Sequence, residues 1–318
     1  MRTGVSYLGS HDPRHMRTDL DELRDLGCDD VLLAAQENDF VYLTGKLDFL
    51  PGLARERGLR PIAIFWGVLN VFGGGRSSQF LLDHPDGRQV GRDGRPRPQG
   101  CYNNPRCVAH VQGMLDRVAG LGFEGYFIDE PTPIDCHCPA CRGLFEQWSG
   151  GDLAAAAAPA VGEFRGWCVL HYIQTISDYV KRNHPAVETM CCLMEQDRTL
   201  WRKAAEIATL DNLGSDIYWT NNDRPVEEMT PMVRELADVC RRAGKRHHEW
   251  FECWGTRAGR EGRIVQQGEI LVREKPDALY VWAYRAQVGT SESAADPEAA
   301  WSAACRVLRL AKQTAGDR

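Results

Sequence analysis

The stretch Gly125-Tyr126-Phe127-Ile128-Asp129-Glu130-Pro131 holds the logic of the chain in seven residues: a short apolar β-prone run, two acids, and a proline that stops further strand pairing. Working outward from it, the same unit recurs. Apolar runs lie at Gly4 to Leu8, Asp30 to Ala35, Arg60 to Trp66, Gly125 to Ile128, Val187 to Met194, Gly214 to Trp219, His247 to Cys253 and Ala278 to Tyr284. Stretches of helical spacing separate them, at Met16 to Leu26, Leu47 to Arg57, Cys107 to Ala119, Val161 to Asn183, Leu200 to Thr209, Pro225 to Ala243 and Ile264 to Glu274, with Pro297 to Ala311 closing the set. Run, polar loop, amphipathic helix and run again is the pattern of parallel strands joined by crossover helices. Eight of each predicts an α/β fold, a (β/α)8 TIM barrel, as one catalytic domain over residues 1–318. The Gly-, Arg- and Pro-rich segment from Gly73 to Gln99 is expected to be an extended loop after strand three. A doubly wound open sheet is the competing fold, and the Gly-rich fingerprint that would open its first helix is missing.

Composition narrows the function classes. With 318 residues, 43% apolar and 26% charged, the chain can bury a large core. A net charge of −6 and a pI near 5.9, with Lys and Arg scattered, argue against a nucleic-acid partner. No apolar run reaches the roughly 20 residues that span a bilayer, and Met1 to Gly9 lacks the features of an export signal. The expectation is a soluble cytoplasmic protein without a membrane partner, and a homo-oligomer is compatible with it. Twelve cysteines in such a chain read mostly as reduced thiols, with Cys168, Cys191, Cys192 and Cys305 as small buried hydrophobes.

In a barrel, residues just past the C-terminal end of every strand share one mouth, so function is sought there. Strand four delivers Asp129 and Glu130. Strand seven, His247-His248-Glu249-Trp250-Phe251-Glu252-Cys253-Trp254, delivers Glu252 near its end, while Glu249, three residues away, faces the other side of a regular strand. Cleaving a glycoside needs one carboxylic acid to protonate the leaving oxygen and one carboxylate to attack or to activate water. Acids on strands four and seven oppose each other across a barrel mouth. Glu130 is therefore assigned as acid/base and Glu252 as nucleophile, with Glu249 in reserve; the plain alternative is ion pairing at strand ends. Trp66, Tyr218, Trp219, Trp254 and Trp282 also stand at or after strand ends, where flat apolar faces suit a sugar ring. His11, Gln36, Glu37, Asn70 and Asp216 are further polar candidates at the mouth.

Directly after the acids comes Cys136-His137-Cys138-Pro139-Ala140-Cys141, three thiols in six positions. A structural zinc takes four ligands in a tetrahedron, so a fourth is expected from Cys101, Cys107 or His137.

These stretches resemble glycoside hydrolase family 42, β-galactosidases of clan A whose barrel carries a four-cysteine zinc site. The likeness covers about 50 residues, Arg97 to Trp148, and rests on Cys101-Tyr102-Asn103-Asn104-Pro105 and on the triad Cys136, Cys138, Cys141 leading toward Phe145 and Trp148. The resemblance implies a carbohydrate substrate, Zn2+ held by Cys101, Cys136, Cys138 and Cys141, Cys107 as a spare thiol, and Arg97 as a sugar-binding arginine. This chain departs from the family in carrying Asp129 where an asparagine precedes the acid/base glutamate.

That Asp-Glu pair admits a second mechanism, in which Asp129 orients a substrate 2-acetamido group and Glu130 acts as acid. Two other classes compete: a barrel that binds sugar without cleaving it, and a metal-dependent hydrolase drawing on His11, His15, His247 and His248.

Overall fold

Period-two alternation in the apolar runs decides which side chains fill a barrel and which meet the surrounding helices. The structure, a computed structural model, describes residues 1–74, 77–218 and 224–316. Among them run β1 (Arg2–Tyr7), β2 (Asp30–Ala35), β3 (Arg60–Phe65), β4 (Arg88–Val90), β5 (Pro96–Gly100), β6 (Gly125–Ile128), β7 (Glu188–Cys192), β8 (Asn212–Asp216), β9 (Arg246–Glu252) and β10 (Ala278–Trp282). Eight of these form a closed parallel ring in the order β1-β2-β3-β6-β7-β8-β9-β10, and β10 pairs back onto β1 from Arg2 with Ala278 to Val5 with Val281. The expected TIM barrel is the observed fold.

Alternate residues separate into two cores. Leu32, Ala34, Ile62, Ile64, Phe127, Met190, Cys192, Trp250 and Tyr280 fill the inside of the ring. Leu33, Ala63, Phe65, Tyr126, Leu213, Phe251, Leu279 and Val281 pack outward against the helices. Local sequence starts and stops those helices. Asp12 and Asn104 each precede a proline and accept a hydrogen bond from the backbone two residues on, to Arg14 N at 2.8 Å and Arg106 N at 2.9 Å. No described helix is long and apolar enough to cross a membrane.

Three expectations shift in detail. The run Val187 to Met194 pairs only over Glu188–Cys192, and the run begun at Gly214 starts two residues earlier, at Asn212. Polar Asn212 hides that start from an apolar pattern, because its amide serves a buried network described next. The segment Gly73 to Gln99 is not structureless: helix Phe80–Asp83 and the antiparallel hairpin β4–β5 occupy much of it.

Charges plug the N-terminal end of the ring. Arg60 bridges Asp30 (2.9 Å) and Glu188, Arg2 adds to Asp30, and Arg246 adds to Glu188 at 2.9 Å. Tyr280 donates to Asp30 (3.0 Å), and Asn212 Nδ2 donates to Glu188 (3.0 Å). Removing one member of a buried ion network strands its partners in low dielectric, at a cost of about 3–5 kcal/mol. Arg60→Met is expected to lower the unfolding free energy by about that amount, read as a fall in the denaturant midpoint, while the residues at the opposite mouth stay in place.

Candidate active site

The C-terminal ends of six strands and their loops enclose a cavity of about 370 Å³ lined by Trp66, Gly73, Gly74, Asp129, Glu130, Met194, Tyr218, Glu252, Trp254, Trp282 and Glu292. Asp129 and Glu130 follow β6 directly, and Glu252 is the last residue of β9. Acids far apart in the chain thus share one cavity. Glu252 is fully buried while Glu130 is half-buried, so the two differ in their access to water.

Aromatic rings line both sides. Trp66 and Trp282 lie 5.7 Å apart between ring centres, inclined at 48°, and Tyr218 meets Trp254 edge to face at 6.2 Å. The glycines Gly73 and Gly74 bring the loop after β3 onto this wall. A Cβ at Gly73 would land on the Asp129 carboxyl, and one at Gly74, whose φ is +95°, would land on the Trp66 indole.

Crowding of acids sets the electrostatics. Burial, and then the nearby charge of Glu130, hold Asp129 well above the ordinary carboxylate range. Asp216, at the end of β8, is pushed up in the same way by burial, then by Glu130 and Asp129. Burial followed by the charge of Asp216 pushes the Tyr218 hydroxyl up as well.

Other expected residues lie elsewhere. Glu249 is buried on the outer side of β9, hydrogen-bonded to His247 at 2.6 Å and accepting from Ser215 at 3.0 Å, because alternate residues of a regular strand face opposite ways. The reserve nucleophile therefore does not line the cavity. Arg97 sits on the β4–β5 hairpin, paired with Asp93 at 3.2 Å and half exposed. His11 bonds the Leu43 carbonyl at 3.0 Å, near Asp39. Glu37 accepts from Leu69 N, Ser78 Oγ and Phe80 N, a clamp on the loop after β3. His248 is buried beneath the site against Asn212 and His247 faces outward, so the histidines form no common cluster. Trp219 lies outside the described residues. Glu292 and Met194 line the cavity without having been singled out: Glu292 stands in a loop that carries no periodic signal, and Met194 lies past the paired end of the run Val187 to Met194.

Beside the mouth, the four thiols of Cys101, Cys136, Cys138 and Cys141 are buried, with sulfurs all within 4.8 Å of one another. Cys101 Sγ is 3.4 Å from Cys141 Sγ and 3.7 Å from Cys138 Sγ. A tetrahedron with metal–sulfur bonds of about 2.3 Å has edges of about 3.8 Å, so the donor set fits a tetrahedral soft-metal site. Backbone N–H groups of Val90 and Cys138 point at Cys136 Sγ, each at 3.4 Å, and Asn103 Nδ2 points at Cys141 Sγ at 3.4 Å, as suits thiolates. Cys107 instead bonds the Gly87 carbonyl, and His137 faces Asp135.

The ring and its helices form a (β/α)8 barrel, a fold shared with solved glycosidase structures. Among solved structures, the chain is similar to the β-galactosidase of the Antarctic haloarchaeon Halorubrum lacusprofundi (TM-score 0.78, 16% identity over 99% of this chain and 58% of that one). It is also similar to the β-galactosidase of Bacillus circulans sp. alkalophilus (TM-score 0.74, 14% identity, 98% and 56% covered) and to the endo-1,4-β-mannanase of Rhizomucor miehei (TM-score 0.66, 12% identity, 99% and 95% covered). The chain spans less than two thirds of the length of those β-galactosidases. No protein-family model and no curated protein matches the sequence. The likeness of fold to those β-galactosidases extends over the whole barrel.

Unfolding frees Asp129 and Asp216 to ionise, so above about pH 4 the unfolded chain binds fewer protons than the folded one and stability falls as pH rises. Asp129→Asn or Asp216→Asn is accordingly expected to raise the melting temperature at pH 7. A relief of about 1 kcal/mol in a domain of this size is worth about 2 °C or more, and thermal scans at lower pH should show the gain vanishing as the carboxyls of both states become protonated.

Proposed function

We propose that the protein is a glycosidase that cleaves a β-linked glycoside or short oligosaccharide with retention at the anomeric carbon. The carrying observation is a single aromatic-walled cavity lined by both Glu130 and Glu252, which come from strands three places apart in the ring of eight. The β-linkage is suggested by the names of the β-galactosidases and the β-mannanase of like fold.

In the first step the Glu252 carboxylate attacks the anomeric carbon as the glycosidic bond breaks, and Glu130 gives its proton to the departing oxygen. A glycosyl ester on Glu252 and a free alcohol result. In the second step Glu130, now a carboxylate, takes a proton from water, whose oxygen displaces Glu252 and restores both groups. The indoles of Trp66, Trp254 and Trp282 and the ring of Tyr218 supply apolar faces for the sugar. Asp129, kept neutral by burial, can donate a hydrogen bond as an asparagine amide would. The four thiolates hold a structural Zn2+, which fixes the loop between the acids and the following helix and takes no part in bond cleavage.

Aryl β-galactosides and β-mannosides are the first substrates to test. Glu130→Gln and Glu252→Gln are each expected to lower kcat on the active one by at least about 100-fold with the fold intact; wild-type rates from both variants would refute the assignment.

Metal analysis should find one zinc per chain. Cys138→Ala is expected to lose the metal and several degrees of melting temperature, whereas brief mild chelation of the wild type leaves turnover unchanged.

A further inference from the structure

Asp216 has no task in the two-step reaction above, yet it ends a strand on the same side of the barrel as Glu130 and Glu252. It ends β8, is 5% exposed, and its Oδ1 has no hydrogen-bond partner among the described residues. Asp216 and Glu130 stand at the C-terminal ends of β8 and β6, with Cys192 at the end of the intervening β7, and after burial the charge of Glu130 is the main influence on the Asp216 carboxyl. The remaining titratable groups around it are Asp129 from the end of β6 and Tyr218 from the following loop, with Glu252 and Glu292 on the shared cavity. No Lys, Arg or His lines that cavity among the described residues. Glu130 itself leaves its strand with a φ of +43°, a backbone conformation unusual for a glutamate, so its direction depends on outside support.

We propose that Asp216 is a positioning residue for Glu130: the two carboxyls share one proton through a hydrogen bond that aims Glu130 at the leaving oxygen. The proposal rests on Glu130 being the acid/base. Two carboxyls held this close in low dielectric do not ionise together, so the pair loses its protons in two separated steps and the second proton is held to higher pH than a lone carboxyl would hold it. The singly protonated pair is the active acid. When Glu130 passes that proton to the departing oxygen, the pair is left with two adjacent negative charges, and this makes it a strong base toward the water of the second step. The proton drawn from that water restores the singly protonated pair, so no proton is gained or lost over a turnover.

The test compares wild type with Asp216→Asn, a variant of the same shape that cannot carry the second charge. On phenyl and 2,4-dinitrophenyl β-galactosides, or the corresponding mannosides if those are the substrates, kcat/KM is measured against pH. The basic limb should move to lower pH by about one unit or more in Asp216→Asn, and the loss should be about tenfold greater for the phenyl glycoside, whose departure needs the acid. A residue that merely supported the fold would lower the melting temperature and leave both the limb and the leaving-group contrast where they were; that result overturns the proposal. A 13C-NMR titration of the carboxyls needs no substrate and separates the two ideas. A late-titrating signal present in wild type and absent from both Asp216→Asn and Glu130→Gln supports the pair even if no glycoside is cleaved, whereas a Glu130 signal unchanged by Asp216→Asn refutes it even in an active glycosidase.

Discussion

Closure of the strand ring is the constraint on which everything else depends. Once β10 pairs with β1 no edge remains, and every inward residue at a C-terminal strand end is forced toward one axis. Trp66, Asp129, Asp216, Glu252 and Trp282 come from different strand ends and owe their proximity to the ring alone. An open sheet built from the same units would leave Glu130 and Glu252 unrelated.

The two ends of the barrel handle buried acids in opposite ways. At the N-terminal end Asp30 and Glu188 are matched by Arg2, Arg60 and Arg246, so each carboxyl faces guanidinium partners. At the mouth Asp129 and Asp216 meet Glu130, and burial drives them toward the neutral form. The same residue types therefore stabilise the fold at one end and are held in an unfavourable environment at the other. Carboxyls held in the neutral form can donate a hydrogen bond, which an ionised carboxylate cannot.

How much of this was legible in the sequence follows from periodicity. Short apolar runs between helical stretches gave the strand count, and a strand's period of two already set Glu249 and Glu252 on opposite faces. The spacing of Cys136, Cys138 and Cys141 demanded a partner, and Cys101 meets them in space. Loops are another matter. Arg97 belongs to a hairpin whose antiparallel pairing no apolar pattern announces, and that pairing leaves the guanidinium with Asp93. Glu292 reaches the cavity from a segment without period, and Gly73 and Gly74 matter for what they lack, a side chain where the chain presses on Asp129 and Trp66. Such residues are fixed by three-dimensional crowding, which a linear pattern does not record.

The thiol cluster bears on the same question from the other side. Glu130 occupies a strained backbone conformation, worth about 1–3 kcal/mol, that persists only if the chain on both sides is held. Upstream the β6 ladder holds it. Downstream only five residues separate it from Cys136, and this segment is tied at two points: Thr132 O accepts from Tyr102 Oη at 3.0 Å, and just past Cys136 the His137 N donates to Val90 O at 2.7 Å. Cys136, Cys138 and Cys141 then lock the segment to Cys101 at the foot of the β4–β5 hairpin. With a metal on the four sulfurs, the proposed structural site would act through the backbone rather than through chemistry, by removing the slack that would let Glu130 relax to an ordinary φ and turn its carboxyl away from the cavity.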